Sequence, residues 1–323
     1  MHDIQVAQRA ADRLLERSIE EPNQELSTAQ RQILRNLLSP RTLQSGNGEG
    51  TMAAGVALQV QVVPVRPPLK WAGGKRWLVP HLAELWTVNH HRRLVEPFCG
   101  GLAVSLSLRP ARALLNDINP HAVHFYSWLK RGLKVNDGLE FDNRETLYYE
   151  HRTRFNQLTS NGGAGSAEAA ALFYYLNRTC YNGLCRFNSS GQFNVPFGRY
   201  KRINYNRDFS SYRCVFSDWK FSTGDFEQVL VEPDDFLYAD PPYDVEFRSY
   251  SKEGFSWDDQ VRLGEWLSRH RGPTVLSNQA TDRILRLYKK LGFRLRLIDA
   301  PRMINCTGDR SPAKEVLATR GLN

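Results

Sequence analysis

Apolar positions along the chain follow two periods, and the stretches where each holds predict its elements. Near the start, Ile4, Ala7, Ala11, Leu14 and Leu15 recur at helical spacing. Ile33, Leu34, Leu37 and Leu38 do so again, behind a capping-box pattern of Ser27 and Gln30. The glycine-rich stretch Ser45 to Gly50 then interrupts them. Residues 1–60 therefore read as an N-terminal extension of two short helices and a linker, and Met52, just past that linker, is an alternative start. From residue 67 onward, short apolar runs alternate with helical patterns. Strands are predicted at Arg93 to Glu96, Ala113 to Leu115, Phe236 to Ala239, Thr274 to Leu276, Phe293 to Ile298 and Glu315 to Ala318. Helices are predicted from Arg76 to Trp86, through Leu108, from Ala122 to Lys130, Asp142 to Leu158, Ser166 to Leu176, Asp258 to Ser268 and Asp282 to Lys290. That alternation predicts an α/β sheet with helices on both faces. The run of helices at 121–205 interrupts it as an inserted, mainly helical domain, so the catalytic domain is expected at 67–120 and 206–323.

The inserted stretch ends differently from the rest of the chain. From Asn177 to Arg207 there is no acidic residue, while Arg178, Arg186, Arg199, Lys201, Arg202 and Arg207 alternate with Tyr181, Phe187, Phe193, Phe197, Tyr200 and Tyr205. Ser189 to Gln192 between Cys185–Asn188 and Phe193–Val195 predicts a β-hairpin turn. A basic, aromatic hairpin suits a groove of nucleic acid, with arginine for base edges and phosphates and a wedge residue for a vacated stack. The plain alternative is a solvated basic hairpin. The whole chain of 323 residues carries a formal net charge of +9, which favours a polyanionic partner.

The predicted strand Phe236 to Ala239 delivers Asp240-Pro241-Pro242-Tyr243 to its C-terminal end, where open α/β sheets place their sites. Two prolines fix φ, remove two backbone donors and leave carbonyls facing outward. The Asp240 carboxylate, the Pro241 carbonyl and the Tyr243 ring together suit a planar heterocycle whose exocyclic amine gives two hydrogens. Such a base must first leave the duplex. Its amine is a poor nucleophile because its lone pair is delocalised, and acceptors that pull on its hydrogens favour the pyramidal, reactive form. Transfer of a methyl group from a sulfonium donor follows.

Two earlier stretches supply a place for that donor. Trp71-Ala72-Gly73-Gly74-Lys75 precedes a helix, so its backbone can approach a ligand, while Trp71 can stack and Lys75 can meet a carboxylate. Further on, a strand, the turn Pro97-Phe98-Cys99-Gly100-Gly101, a helix, a strand and Asp117 make a nucleoside-binding βαβ arrangement, the acid placed to reach ribose hydroxyls. No G-x-G-x-x-G occurs, so a mononucleoside fits better than a dinucleotide. Asp225 and Phe226 are candidates to flank the donor's adenine. The five cysteines are scattered away from the eight histidines, so reduced thiols and no metal are expected. No long apolar window or signal-peptide core is present, which predicts a soluble cytoplasmic protein without a membrane partner.

Taken in order, Lys70-Trp71-Ala72-Gly73-Gly74-Lys75, Glu96-Pro97-Phe98-Cys99-Gly100-Gly101, Asn116-Asp117-Ile118-Asn119, Asn177 to Asn188, Phe193 to Gly198, Asp225-Phe226 and Asp240 to Tyr243 resemble the Dam-type, D12 class DNA adenine N6-methyltransferases. The resemblance spans roughly Leu69 to Ala318. It implies a Rossmann-like S-adenosylmethionine-dependent methyltransferase sheet and a target-recognition domain at 121–205. It implies donor contacts at Trp71, Lys75, Phe98, Asp117, Asp225, Phe226 and Asp240, and a flipped adenine held by Asp240, Pro241, Pro242 and Tyr243. It also implies double-stranded DNA at Lys70, Tyr181, Asn182, Leu184, Arg186 and Pro196, GATC as the site, and a monomer or weak dimer on DNA in a bacterial nucleoid or phage-infected host. Restriction-modification, phage protection and epigenetic marking would all use such a chain.

Residues 1–60 match nothing in that pattern. A cytosine-N4 methyltransferase could use the same acceptors, an RNA or protein methyltransferase would not carry this insertion, and a non-enzymatic DNA-binding module would bind DNA without the donor. A chain begun at Met52 is expected to fold and to keep its chemistry, as measured by circular dichroism and a methyl-transfer assay. Folding with loss of activity would make the extension part of the enzyme.

Overall fold

The computed structural model describes residues 65–135, 138–244, 254–300 and 313–322. The two N-terminal helices and Met52 lie outside the described residues. Seven strands form one sheet: β1 (Leu94–Glu96), β2 (Ala113–Asp117), β3 (Trp219–Thr223), β4 (Phe236–Ala239), β5 (Thr274–Gln279), β6 (Arg294–Ala300) and β7 (Ala313–Arg320). Their spatial order is β3-β2-β1-β4-β5-β7-β6. The first five run parallel, and β7 enters antiparallel between β5 and β6. The α/β sheet expected from the alternation of elements, in the Rossmann-like form that the resemblance implies, is the observed one.

Alternating side chains explain why this sheet needs helices on both sides. All four residues of β4 are buried. Phe236 and Tyr238 join one core with Leu94, Ala113, Leu115 and Val275, while Leu237 and Ala239 join the other with Val95, Leu114 and Leu276. A strand buried on both faces reads as a continuous apolar run, which is how Phe236 to Ala239 reads. The first core is closed by α1 (Val79–Thr87), through Leu82 and Trp86, by α2 (Ala103–Leu108) and by α3 (Pro120–Arg131). The second is closed by α7 (Trp257–Ser268), through Leu263 and Leu267, and by α8 (Asp282–Lys290), through Ile284 and Tyr288. Helix ends follow local chemistry. Asn119 caps α3 by accepting from the backbone N–H of His121 and Ala122, and Ser256 with Asp259 forms a full capping box on α7.

The insertion is built from α4 (Glu145–Ser160) and α5 (Ala167–Thr179), followed by the hairpin. α3 packs on β2 and β3 and also on α5, so it belongs to the sheet and supports the insertion at once. The hairpin closes through Phe187 opposite Phe193, and a second isolated bridge pairs Cys180 with Phe197. Two elements had no counterpart in the apolar pattern: α6 (Ser210–Val215), a helix of under two turns, and β3. β3 is an edge strand with only Trp219 buried, so its alternation is diluted. β4 matches its apolar run and β1 ends with its run, while β2, β5, β6 and β7 extend two or three residues past theirs, because backbone pairing continues into polar residues such as Asn116, Asp117 and Ser277 to Gln279.

Strand order reverses between β1 and β4, so a crevice opens beyond their C-terminal ends. The opposite end of β4 is anchored by a bidentate pair: Arg93 donates to both carboxylate oxygens of Asp235, through Nε at 2.9 Å and Nη2 at 2.6 Å. Asp235 is 1% exposed and also accepts from the Glu232 N–H. Among the described residues no helix is long and apolar enough to cross a membrane. Replacing Asp235 by alanine strands the Arg93 guanidinium in a mostly buried place and is expected to lower unfolding free energy by about 3–5 kcal/mol in urea titrations. A loss below about 1 kcal/mol would show that the pair does not hold β4.

Candidate active site

The sheet presents Asp240 at the end of β4, opposite the ends of β1 and β5. Lys75, in the turn ahead of α1, places Nζ 3.0 Å from Asp240 Oδ1. Ser277, late in β5, donates its hydroxyl to the same oxygen at 3.0 Å. Both donors therefore converge on Oδ1 and leave Oδ2 as the oxygen for another partner. Lys75 is 4% exposed and Asp240 20%, so solvent reaches the carboxylate and hardly reaches its counter-ion. Burial pushes the Asp240 carboxyl above the usual range, while the Lys75 ammonium and the Ser277 hydroxyl pull it back.

The prolines act as the sequence predicts in one respect and differ in another. Pro241 is buried and Pro242 exposed, which turns the chain sharply out of the strand. The Pro242 carbonyl, expected to be unpaired, accepts from Gln260 Nε2 at 2.8 Å, because α7 packs directly behind the turn. Tyr243 then lies with its ring centroid 4.6 Å from Lys75 Nζ and donates its phenol to Glu315 of β7. Asp244 next to it accepts from Arg283 and from Thr281, which fixes the turn to the start of α8. A second carboxyl, Glu96 at the end of β1, is 2% exposed and is pushed up to about 8 by burial first and by Asp240 second. At neutral pH burial therefore holds it mainly protonated.

The other predicted donor residues gather on the β1–β2 side. Asp117 Oδ2 accepts from the Gly100 N–H at 2.8 Å and Oδ1 from the Asn119 N–H at 2.9 Å. Gly100 has φ +45°, and a Cβ there would stand 2.7 Å from Trp71 Nε1, so Trp71 lies directly on the glycine turn. Tyr126, buried in α3, donates to the Gly100 carbonyl at 2.6 Å from beneath. Phe98 meets Phe226 at 5.6 Å between centroids. Asp225 and Phe226 are more occupied than sequence suggests: Arg262 of α7 donates to both Asp225 oxygens at 2.8 Å and lies 4.4 Å over the Phe226 ring.

The hairpin residues share an exposed edge. Tyr181, Asn182, Leu184, Arg186 and Pro196 are all exposed, Tyr181 with 52% of its surface. Asn182 sits at φ 53° and Gly183 at φ 63°, and a Cβ on Gly183 would strike the Lys70 side chain at 2.4 Å. Asn177 ties this edge to the donor side by accepting from the Lys70 N–H and donating to the Lys70 carbonyl, both at 2.8 Å. Lys70 Nζ donates to the Arg178 carbonyl and lies 3.7 Å over Tyr200. Of the interleaved aromatics, Tyr181 alone is exposed. Phe187 stacks on His121 at 4.8 Å, Phe193 is buried, and Phe197 packs on Tyr148. They join the apolar core that continues from the sheet through α3 into the insertion, because a small hairpin needs apolar contacts to hold its shape.

Sequence reading gave no site role to Ser277, Glu96, Glu315, Arg262 or Asn177, although Glu96 and Asn177 lie in the stretches that carry the resemblance. Each is a polar residue in or beside a buried element, a signal visible only as polarity inside an otherwise apolar pattern. Among the described residues no three His, Cys, Asp or Glu side chains gather as a metal site.

Comparison with known proteins gives a consistent result. Residues 71–304 match the profile of the D12 class N6 adenine-specific DNA methyltransferase family. The chain is 34% identical over 278 residues to the type II methyltransferase M.MjaIII of Methanocaldococcus jannaschii, covering 76% of this chain and 95% of that one. It is 34% identical over 268 residues to the retron Ec67 DNA adenine methylase of Escherichia coli, covering 78% and 90%. It is 35% identical over 273 residues to a DNA adenine methylase of Vibrio cholerae, covering 77% and 94%.

Removing the Lys75 ammonium takes away the largest influence that lowers the Asp240 carboxyl. In Lys75→Met the Asp240 proton is expected to come off at higher pH than in the parent, followed by carboxyl carbon-13 shifts. Ser277→Ala should move it the same way by less. A midpoint that stays or falls would contradict the ion pair.

Proposed function

The chain belongs to the D12 class of N6 adenine-specific DNA methyltransferases, and from that premise we propose that it methylates adenine N6 at a specific duplex site, GATC, after drawing the base out of the stack. The observation that carries this reading is the arrangement at Asp240: Lys75 and Ser277 both bond one oxygen and leave the other to a partner, and the same Lys75 ammonium lies over the Tyr243 ring.

The residues present fit S-adenosylmethionine as donor. A cradle of glycine backbone under Trp71, with a buried carboxylate at Asp117 and no phosphate-binding fingerprint, suits a nucleoside without a diphosphate. Trp71, Lys75, Phe98, Asp117, Asp225 and Phe226 would hold it. When bound, it supplies a methyl group already activated by a sulfonium charge. Asp240 Oδ2 and the Pro241 carbonyl accept the two hydrogens of the adenine amine, drawing electron density toward nitrogen and turning its lone pair toward the donor side. The Tyr243 ring stacks on the base and fixes its plane. Because transfer needs three atoms in line, most of the rate comes from this positioning. Asp240, still in contact with the amine, is placed to take the proton that methylation releases.

DNA lies against Lys70, Tyr181, Asn182, Leu184, Arg186 and Pro196. Tyr181 and Leu184, apolar and exposed on one edge, are placed to fill the space that the base vacates. Arg186 Nε donates to Asn194 Oδ1 at 2.8 Å, which aims the guanidinium outward for a base edge or phosphate. Long-read sequencing of a host expressing the chain is expected to report N6-methyladenine within GATC. Methylated cytosine, or adenine marked without a shared site, would overturn the assignment of base or of site. Lys70→Ala is expected to weaken DNA binding about tenfold and to relax preference at flanking bases, read by competition binding. A change confined to donor affinity would remove Lys70 from the DNA surface.

A further inference from the structure

We propose that Glu315 on β7 is a positioning residue for the reaction: its carboxylate holds the Tyr243 phenol and thereby sets the pitch of the ring against which the target base stacks. This rests on the reading of Tyr243 as the base-stacking residue and extends it to a strand outside the motif.

A tyrosine after two prolines has a fixed backbone and a ring still able to turn about its side-chain bonds. Its only polar handle is the hydroxyl. That hydroxyl donates to Glu315 Oε1, seventy-two positions further along the chain. Glu315 stands on an interior strand, paired with Gln279 of β5 on one side and Ile298 of β6 on the other, so its backbone is held from both edges. It is 7% exposed, and its second oxygen is buried without a hydrogen-bond partner. A carboxylate kept in that state costs stability, and a hydrophobic residue at the same place on β7 would avoid the cost. What it supplies locally is a second fixed point for the ring, whose face already meets Lys75. Burial pushes the Glu315 carboxyl up, while the Tyr243 phenol and then the Lys75 ammonium, itself bonded to Asp240, pull it back. The acceptor of the amine and the support of the stacking ring are thus built around one buried ammonium.

The test is single-turnover methyl transfer to a duplex carrying one target site, with donor affinity measured in parallel. Glu315→Leu is expected to slow transfer about ten- to a hundredfold with donor affinity unchanged, the size of a lost hydrogen bond to a charged group. Glu315→Gln keeps an acceptor and is expected to stay within a few-fold of the parent. Tyr243→Phe removes the phenol and leaves Glu315 in place. It is expected to lose about as much as Glu315→Leu, and the double variant no more than either alone. With 2-aminopurine at the target position, Glu315→Leu should lose the quenching that a stacked base shows.

Parent-like transfer by Glu315→Leu or by Tyr243→Phe, or losses that multiply in the double variant, would overturn the proposal. If Glu315→Leu does not fold, the Tyr243→Phe arm decides alone. Failure of the parent chain to methylate adenine would instead sink the functional reading, and the two failures are told apart by that control.

Discussion

The site depends on Lys75 and Ser277 meeting one oxygen of Asp240. A carboxylate at the buried end of a strand would tend to take up a proton, and a proton on the oxygen facing the amine would make it a donor where an acceptor is needed. The ammonium and hydroxyl oppose that tendency, and because both contact Oδ1 they also fix which oxygen remains available. The neighbouring Glu96 yields instead, held mainly as the neutral acid at the end of β1. Burial thus favours the neutral form of Glu96, while the two donors on Oδ1 favour the charged form of Asp240.

Every part of that arrangement is delivered by the sheet. β4 is buried on both faces and tied at its start by Arg93 and Asp235, so its far end emerges at a fixed place. β5 brings Ser277, β7 brings Glu315, and the turn before α1 brings Lys75. The insertion is coupled to the same end of the molecule by two contacts. Asn177 clasps the backbone of Lys70, and Asn119, two residues past Asp117, donates to Cys185 Sγ at 3.1 Å at the root of the hairpin. The exposed hairpin edge and the crevice beyond β4 are therefore held in one frame.

How much of this could be read from the amino-acid order follows from how local each feature is. The Asp240 to Tyr243 turn, the glycine turn with its distant Asp117, and the capping box on α7 are written in adjacent or regularly spaced residues, and the structure forms each of them. The hairpin was legible from its polar turn and flanking aromatics. The direction those aromatics face was not, because Phe187, Phe193 and Phe197 take their burial from His121, Tyr148 and the helices of the insertion. Ser277 and Glu315 reach the site only through strand order, with β7 inserted between β5 and β6, and no spacing along the chain encodes that neighbourhood. Arg262 likewise meets Asp225 and Phe226 across a packed helix, which composition alone does not reveal.

The claim at the centre of this account is that the free oxygen of Asp240 makes the adenine amine reactive without being needed to hold either ligand. Asp240→Asn keeps the shape and changes half of the acceptor into a donor. Its rate of methyl transfer in a single turnover, taken with its affinities for donor and duplex, tests the claim most directly. The account predicts both affinities within several-fold of the parent and a rate lower by at least about a hundredfold, comparable to removing a preorganised polar group from other active sites. Transfer at a rate close to the parent's would contradict it.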